Sequence, residues 1–160
     1  RAVSELRRRA AAGEIRAGDT LVITRTFTSE EVVAFGDLTR DYNPVHYEPR
    51  FCEAKGFRGP ICHGLLVASM LCEPGGQWAW LASEMDLRFR KPVYVGDRIT
   101  CELTLESVAE NRFARARLVY TNADQEVVLE ARLGGYLPNP EEEVILAEML
   151  AEGDPTNPLT

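Results

Sequence analysis

The chain has 160 residues and a formal net charge of −7 at pH 7. Hydrophobic residues make up 45% of it and charged residues 27%, as is typical of one folded globular domain rather than a disordered or fibrous protein. The acidic excess argues against non-specific nucleic-acid binding, because no overall positive potential attracts phosphate. Any anionic ligand must therefore meet a local group of cations.

Nothing in the sequence indicates membrane insertion or secretion. The longest apolar run, residues 65–72, is interrupted by Ser69 and is far shorter than the roughly 18 residues that a membrane span needs. Residues 1–17 are charged and alanine-rich, without the apolar centre of a signal peptide. The four cysteines form no Cys-x-x-Cys pair, and only two histidines are present, so a metal site is not expected. We expect reduced thiols and a cytoplasmic location.

The chain is predicted to begin with a helix over residues 1–16, which Gly13 could end. Its arginine run at residues 7–9 indicates a solvated helix face rather than a phosphate site. Residues 21–27 alternate apolar and polar side chains, which predicts a strand. Residues 1–17 are therefore predicted to form a helical extension that precedes the main domain.

A second helix is predicted to begin at Thr28 or Ser29, since either side chain can cap it. Glu30 and Glu31 lie in its first turn, where they complement the positive end of the helix dipole. This helix leads the chain to Asp41. A helical turn over residues 50–55 and a loop are expected to follow.

Residues 61–72 are apolar on every helical face, so they predict a helix surrounded by protein. The Pro-Gly-Gly sequence at residues 74–76 is expected to interrupt this helix. Trp78 and Trp80 then lie in a helical turn or loop, where they could line an acyl tunnel or belong to the core.

The second half of the sequence predicts strands over residues 85–89, 98–108, 113–121 and 127–137, with a hairpin turn at 122–124. Residues 18–138 therefore read as an α+β domain in which an antiparallel sheet wraps around an apolar helix. A surface helix over residues 139–150 is predicted to pack through Val144, Leu146 and Met149, before a loose tail at residues 155–160.

Residues 41–46, with the sequence DYNPVH, place a carboxylate five positions before an imidazole. In a continuous helix these side chains would point roughly 140° apart. Pro44 disfavours that helix, because it fixes its own φ and pushes Asn43 out of the α region. A tight turn would aim Asp41 and His46 at one point, as proton transfer requires. An Asx turn that ends a helix, with His46 as an incidental residue, explains the spacing equally well.

Residues 39–48, TRDYNPVHYE, resemble the signature of the MaoC-like hydratases, the family of (R)-specific enoyl-CoA hydratases. Residues 63–69, HGLLVAS, resemble the opening of that family's central helix, and residues 90–97, RKPVYVGD, resemble its turn between strands. The similarity covers roughly residues 18 to 137, with three motifs in order. One difference is that Thr39 and Arg40 stand where the family often has a small residue and a glycine.

The resemblance implies a hot-dog fold, at least a homodimer, and reversible addition of water to a trans-2-enoyl-CoA to give the (R)-3-hydroxyacyl-CoA. Asp41 and His46 would hold one water and exchange its protons, with Asn43 in a positioning role. Burial of Asp41 would help the two groups to share protons. The Gly64 N–H would receive the thioester oxygen, although this glycine could instead serve only tight packing.

For substrate binding, the sequence offers Arg88, Arg90 and Lys91 as partners for the phosphates of coenzyme A, with Arg58 and Lys55 as alternates. Each of these cations could instead be a solvated charge on a strand face. His63 and Ser69 are further candidates. His63 could cap or pack the helix end, and Ser69 could bond back to the Leu65 carbonyl or reach the pocket.

Two other functions share this fold and ligand. A hot-dog thioesterase usually carries a carboxylate on the central helix, whereas residues 65–72 contain no acid before Glu73. A non-catalytic acyl-thioester-binding protein would not need a convergent acid and base. No cofactor is expected apart from coenzyme A as part of the substrate, and an acyl carrier protein could replace coenzyme A as the carrier.

Overall fold

A computed structural model describes the backbone of residues 2–159 and the side chains of residues 5–159. Within this range one antiparallel sheet contains five strands in the order β1-β3-β4-β5-β2. The strands are β1 (Thr20–Thr26), β2 (Leu81–Phe89), β3 (Arg98–Val108), β4 (Phe113–Thr121) and β5 (Val127–Tyr136).

Six α-helices accompany the sheet in the described part of the chain, together with two 3₁₀ turns at Pro44–His46 and Ser69–Leu71. The helices are α1 (Ala2–Ala11), α2 (Ser29–Thr39), α3 (Pro49–Ala54), α4 (Gly64–Ala68), α5 (Cys72–Gln77) and α6 (Pro140–Ala151).

One face of the sheet is buried against the helical run from α4 to α5, as the alternation of β3 and β4 predicts. The inward residues of β3 are all buried, and so are those of β4. The Tyr120 hydroxyl of β4 donates a hydrogen bond of 2.8 Å to the carbonyl of Ala68 at the end of α4. The predicted α+β arrangement, a sheet wrapped around an apolar helix, is confirmed.

The predicted helix break at residues 74–76 is wrong. The chain passes from α4 through a 3₁₀ turn into α5, and α5 contains all three of these residues. Pro74 lies in the first turn of α5, where a proline is tolerated because its missing N–H would have no partner within the helix. Leu65 on α4 is exposed, so protein does not surround this helix on every side.

The arginine run of α1 is a solvated face only in part. Arg8 is exposed, but the Nε of Arg7 donates to the carbonyl of Gln77 at 3.0 Å, and its Nη1 lies 3.5 Å from the buried Asp154 carboxylate. Arg9 forms an ion pair of 2.7 Å with Asp19. The expectation of a fully solvated face is therefore wrong for Arg7 and Arg9.

Helix α6 begins at Asn139, whose side chain forms a capping box with Glu142. It packs through Leu146 and Met149 as predicted, whereas Val144 is exposed. Leu146 belongs to the same hydrophobic core as Ala10 of α1, so the terminal helices share the core of the sheet.

The expected loose tail is ordered through the described residues 155–159. Asn157 is buried, and its side-chain amide exchanges two hydrogen bonds, of 2.8 and 3.0 Å, with the amide of Gln77. Sequence periodicity gives no sign of this contact, since the two partners lie far apart along the chain. Thr160, which the tail prediction also covered, lies outside the described residues.

No helix within residues 2–159 is both long and apolar enough to cross a bilayer. The four cysteines are free thiols. Cys52, Cys62 and Cys101 are buried, and Cys72 is exposed.

We expect Asn157→Ala to lower the free energy of unfolding by about 1–3 kcal/mol, because it leaves the buried Gln77 amide without its partner. Urea denaturation measures this change. Asn111→Ala serves as the control, since Asn111 is exposed and accepts one hydrogen bond from the Phe113 N–H. Equal losses in both variants would contradict a stabilising role for the buried amide pair.

Candidate active site

Helix α2 ends in a reversal that aims Asp41. Arg40 adopts a left-handed conformation with φ of 59°. The N–H groups of both Arg40 and Asp41 donate to the carbonyl of Gly36, which satisfies a helix-terminal acceptor. Left-handed backbone is strained for residues other than glycine. Glycine would adopt this conformation without strain, which agrees with the resemblance noted above for the position of Arg40.

The following turn brings Asp41 and His46 together. The Oδ1 of Asp41 accepts a hydrogen bond from the Asn43 N–H at 3.1 Å, and the Oδ1 of Asn43 accepts from the Val45 N–H at 3.2 Å. The Oδ2 of Asp41 then lies 3.7 Å from the Nε2 of His46. The Asx turn and the convergence of acid and base, which the sequence left as alternatives, are thus both present.

His46 is held as a buried imidazole, with a side chain only 8% exposed. Its Nδ1 lies 2.8 Å from the carbonyl oxygen of Ile61. A carbonyl only accepts hydrogen bonds, so Nδ1 carries the hydrogen and the Nε2 lone pair faces Asp41. Burial lowers the pKa of His46 below 6.5, and the neighbouring His63 lowers it further, against the opposing effects of the Ile61 carbonyl and Asp41. The His46 imidazole is therefore mainly neutral at pH 7.

Asp41 is less buried than predicted, since its side chain is 46% exposed. Its Oδ1 is held by the Asn43 backbone, so Oδ2 remains directed at His46. The Asn43 side chain is engaged with Val45 rather than with the acid or the base. Asn43 thus shapes the turn through its backbone and its capping side chain.

A cavity of about 760 Å³ opens beside this pair. Asp41, His46, His63 and Gly64 form its polar end. Apolar side chains line much of the remainder, among them Phe35, Phe57, Val67, Phe89 and Leu129. An apolar cavity with a few convergent polar groups is the usual form of a small-molecule site.

Gly64 begins α4 at the cavity wall. A side-chain carbon added there would lie 2.6 Å from the Phe89 ring, so the packing alternative has direct support. No described residue accepts a hydrogen bond from the Gly64 N–H, which leaves this donor available at the cavity. Its role toward a thioester oxygen stays a prediction.

Two of the three predicted phosphate partners line the cavity, and the third does not. Arg90 and Lys91 line it, and they form ion pairs with Glu130 and Glu126. Arg88 pairs with Asp86 at 3.0 Å and lines a separate surface depression.

The alternates Arg58 and Lys55 lie outside the cavity lining. The guanidinium of Arg58 lies 3.8 Å from the centre of the Tyr94 ring, and one of its nitrogens lies 3.4 Å from Asp97. The Nζ of Lys55 lies 5.8 Å from the centre of the Phe51 ring. Arg58 shares a neighbouring surface depression with Lys91.

Three other candidates lie apart from the cavity. The Ser69 hydroxyl donates to the carbonyl of Leu66 rather than that of Leu65, and Ser69 does not line the cavity. Trp78 and Trp80 belong to the buried core, and neither indole N–H has a partner within the described part of the chain. The expected contact of Ser69 with substrate is therefore not supported, and the two tryptophans follow the core alternative rather than the acyl tunnel.

Sequence reasoning missed several residues of the site, including Phe35, Tyr47 and Cys62. Phe35 lies on α2, and its ring centre is 5.1 Å from that of His63. Tyr47 directly follows the motif histidine, and its hydroxyl reaches the Asp41 carbonyl at 3.3 Å. Burial raises the pKa of the Cys62 thiol to about 11, so Cys62 lines the cavity as a neutral group. Of these three residues, only Tyr47 could have been predicted from the sequence, because it directly follows the motif.

Asp41, His46 and His63 also form a group of possible metal ligands, with one atom from each within 4.8 Å of the others. The two imidazole rings, however, stack with centres 3.8 Å apart and planes 28° apart. Nitrogen lone pairs lie in the ring plane, so nearly parallel rings do not direct both lone pairs at one ion about 2.1 Å away. The arrangement suits proton transfer better than metal binding.

The sequence and the fold have clear relatives. The model of the MaoC-like domain matches residues 13–127. A mitochondrial 3-hydroxyacyl-[acyl-carrier-protein] dehydratase of Arabidopsis thaliana is 30% identical over 135 residues, which cover 78% of this chain and 79% of that protein. An (R)-specific enoyl-CoA hydratase of Aeromonas caviae is 33% identical over 107 residues, 63% of this chain and 78% of that protein.

A solved structure agrees with these sequences. The (R)-hydratase from A. caviae involved in PHA biosynthesis has a TM-score of 0.72 and 28% sequence identity, and the match covers 78% of this chain and 98% of that one. The chain therefore belongs to the MaoC-like dehydratase family and has its hot-dog fold.

Proposed function

We propose that the protein is a hydro-lyase that adds water reversibly to a trans-2-enoyl-CoA and forms the (R)-3-hydroxyacyl-CoA. The observation that carries this proposal is the Asp41–His46 pair, with 3.7 Å between Oδ2 and Nε2, at the polar end of an apolar cavity. Both groups are hydrogen-bond acceptors, so one water between them donates one hydrogen to each. This directs the water oxygen toward the substrate.

In the hydration direction, His46 Nε2 takes a proton from this water while the water oxygen forms a bond to C3 of the alkene. The electrons of the double bond move onto the thioester oxygen, and the Gly64 N–H donates to the negative charge that develops there. The imidazolium then returns the same proton to C2. The Asp41 carboxylate orients the water and stabilises the imidazolium in between. Both new bonds form on one face, so the addition is syn.

The name of the A. caviae relative refers to enoyl-CoA, whereas that of the A. thaliana relative refers to an acyl carrier protein. We propose coenzyme A as the carrier because Arg90 and Lys91 provide cations at the cavity wall. Both cations already have carboxylate partners, so binding of phosphate requires exchange of an ion pair.

A thioesterase remains the second candidate because it uses the same fold and ligand. Its usual carboxylate on the central helix has no counterpart in residues 64–72, and Glu73 is exposed outside the cavity lining. The carboxylate that the cavity does contain, Asp41, faces an imidazole. This pairing favours hydration over hydrolysis.

We expect the protein to remove the conjugated absorbance of crotonyl-CoA without releasing a free thiol. Asp41→Asn and His46→Gln should each lower kcat by about 100-fold or more, because each removes a group that handles the proton. Coupling to an (R)-specific 3-hydroxyacyl-CoA dehydrogenase identifies the product.

Asp37→Asn is the matched control for this experiment, since Asp37 bonds the Tyr42 hydroxyl outside the cavity lining. Its kcat should stay close to that of the wild type. Thiol release would favour the thioesterase, and full activity in either the Asp41 or the His46 variant would remove that residue from the mechanism.

Activity should depend on the neutral form of His46. Because burial holds the pKa of His46 below its ordinary value, kcat/KM should be constant near pH 7 and fall with a midpoint below about 6.5. The lower folded-state pKa also means that the stabilisation linked to His46 is complete above pH 6.5 and is lost as the pH falls. An NMR titration of His46 with a midpoint at or above 6.5 would contradict this prediction.

We further propose that the protein forms a homodimer through the edge strand β2. Met85 and Phe89 of this strand are exposed and share one face by the two-residue period, whereas the β-bulge between Ala82 and Glu84 turns the exposed Leu81 to the other face. An apolar edge strand is a liability in a monomer. Antiparallel pairing of two β2 strands would cover this stripe and enclose the cavity beside Phe89.

Met85→Asp should shift the protein from dimer to monomer, because it places a charge in the apolar contact. Sedimentation equilibrium of wild type and variant at micromolar concentration measures the change. Glu84→Gln on the same strand is the control and should leave the mass unaltered. A wild-type mass of one chain would overturn the dimer proposal.

A further inference from the structure

We propose that Tyr47 and His63 are positioning residues that together hold the main-chain carbonyl of Asp41 and thereby set the distance between the Asp41 carboxylate and His46. This inference rests on the proposed hydratase function and assigns two residues that do not themselves handle the transferred proton.

Three polar atoms meet at this carbonyl. The Asp41 oxygen lies 3.1 Å from His63 Nε2 and 3.3 Å from the Tyr47 hydroxyl, and the hydroxyl lies 3.4 Å from His63 Nε2. Because the carbonyl only accepts, Nε2 must carry the hydrogen of the His63 ring, and the Tyr47 hydroxyl donates its own. Two donors, one from the turn after His46 and one from the start of α4, therefore hold the same oxygen.

The fold leaves room for this contact at Gly36. A side-chain carbon at Gly36 would overlap the Tyr47 hydroxyl, with only 1.7 Å between them. The Gly36 carbonyl accepts the Asp41 N–H at 3.2 Å. The backbone of Asp41 is thus held on both sides, by Gly36 at its N–H and by Tyr47 and His63 at its carbonyl.

His63 also contacts the base directly. Its ring stacks on that of His46 with centres 3.8 Å apart, and Phe35 lies 5.1 Å away. His63 is only 1% exposed, and its Nδ1 is buried without a hydrogen-bond partner in the described part of the chain. Stacking and the bond from Nε2 therefore account for the ring's position. One buried side chain restrains both the acid's backbone and the base's ring plane.

Such restraint matters because the acid and base must hold one water. In a positioned reaction, a displacement of about 1 Å can cost about 100-fold in rate. Loss of one donor to the Asp41 carbonyl would let the turn relax without removing either proton-handling group. The effect should therefore fall on kcat rather than on substrate binding.

Tyr47→Phe removes only the hydroxyl and should lower kcat about 10-fold, with KM within about twofold of the wild type. Tyr42→Phe is the matched control, because Tyr42 lies in the same turn but is exposed and bonds Asp37. Its kcat should equal that of the wild type.

The two nitrogens of His63 provide a second comparison. In His63→Gln the amide nitrogen can reach the position of Nε2, whereas in His63→Asn it can reach only that of Nδ1. The glutamine variant should therefore retain several-fold more kcat. The double variant Tyr47→Phe/His63→Gln should lose less than the product of the two single losses, because both residues hold one oxygen.

A readout without substrate separates this inference from the proposed function. Asp41 raises the pKa of His46, so release of Asp41 in Tyr47→Phe should lower the NMR titration midpoint of His46 relative to Tyr42→Phe. An inactive wild type with this shift would refute the hydratase and keep the positioning role. The positioning role would be overturned if Tyr47→Phe left the His46 midpoint unchanged or kept the wild-type kcat. Equal kcat values in His63→Gln and His63→Asn would also overturn it.

Discussion

The site depends on one backbone constraint, the bend between Arg40 and His46. The left-handed Arg40 ends α2, the Asp41 carboxylate closes an Asx turn, and Pro44 starts the 3₁₀ turn that carries His46. Five residues of regular helix would separate the two side chains, whereas this bend leaves 3.7 Å between Oδ2 and Nε2. The bend contains one residue with strained backbone and one proline, and strained backbone is common at functional sites.

The electrostatics of the pair follow from unequal exposure. Burial and the neighbouring His63 lower the pKa of His46 and keep its imidazole neutral, against the opposing effect of the Ile61 carbonyl. Asp41 remains close to water and carries its carboxylate beside that imidazole. A neutral base next to a carboxylate can accept a proton and be stabilised while it holds it. The acidic net charge of the chain contributes little to the electrostatics of the pair, because the groups that interact most strongly with it lie within a few ångströms.

The sequence predicted those features that local pattern controls. Two-residue alternation located β3 and β4 to the residue, and the Asn-Pro step located the bend at Asp41. The continuation of the central helix, the ordered tail and the partners of Arg7 were missed. The helix continues through Pro74 because the proline lies in a first turn, and the tail is ordered because Asn157 meets Gln77. Arg7 reaches α5, a contact between distant segments that periodicity cannot reveal. A backbone bond from Ser69 was one of two predicted alternatives, but its acceptor is Leu66 rather than Leu65.

The location of the cavity links the proposed chemistry to the proposed assembly. Phe89 lies at the end of the edge strand, lines the cavity and packs on Gly64, whose N–H is the proposed donor to the thioester oxygen. A second copy paired along β2 would fix this ring and reduce the access of water to the cavity wall. Exclusion of water strengthens the electrostatic contacts that the oxyanion requires. Dimer formation would then complete the environment of the reaction, while the acid and base both come from one chain.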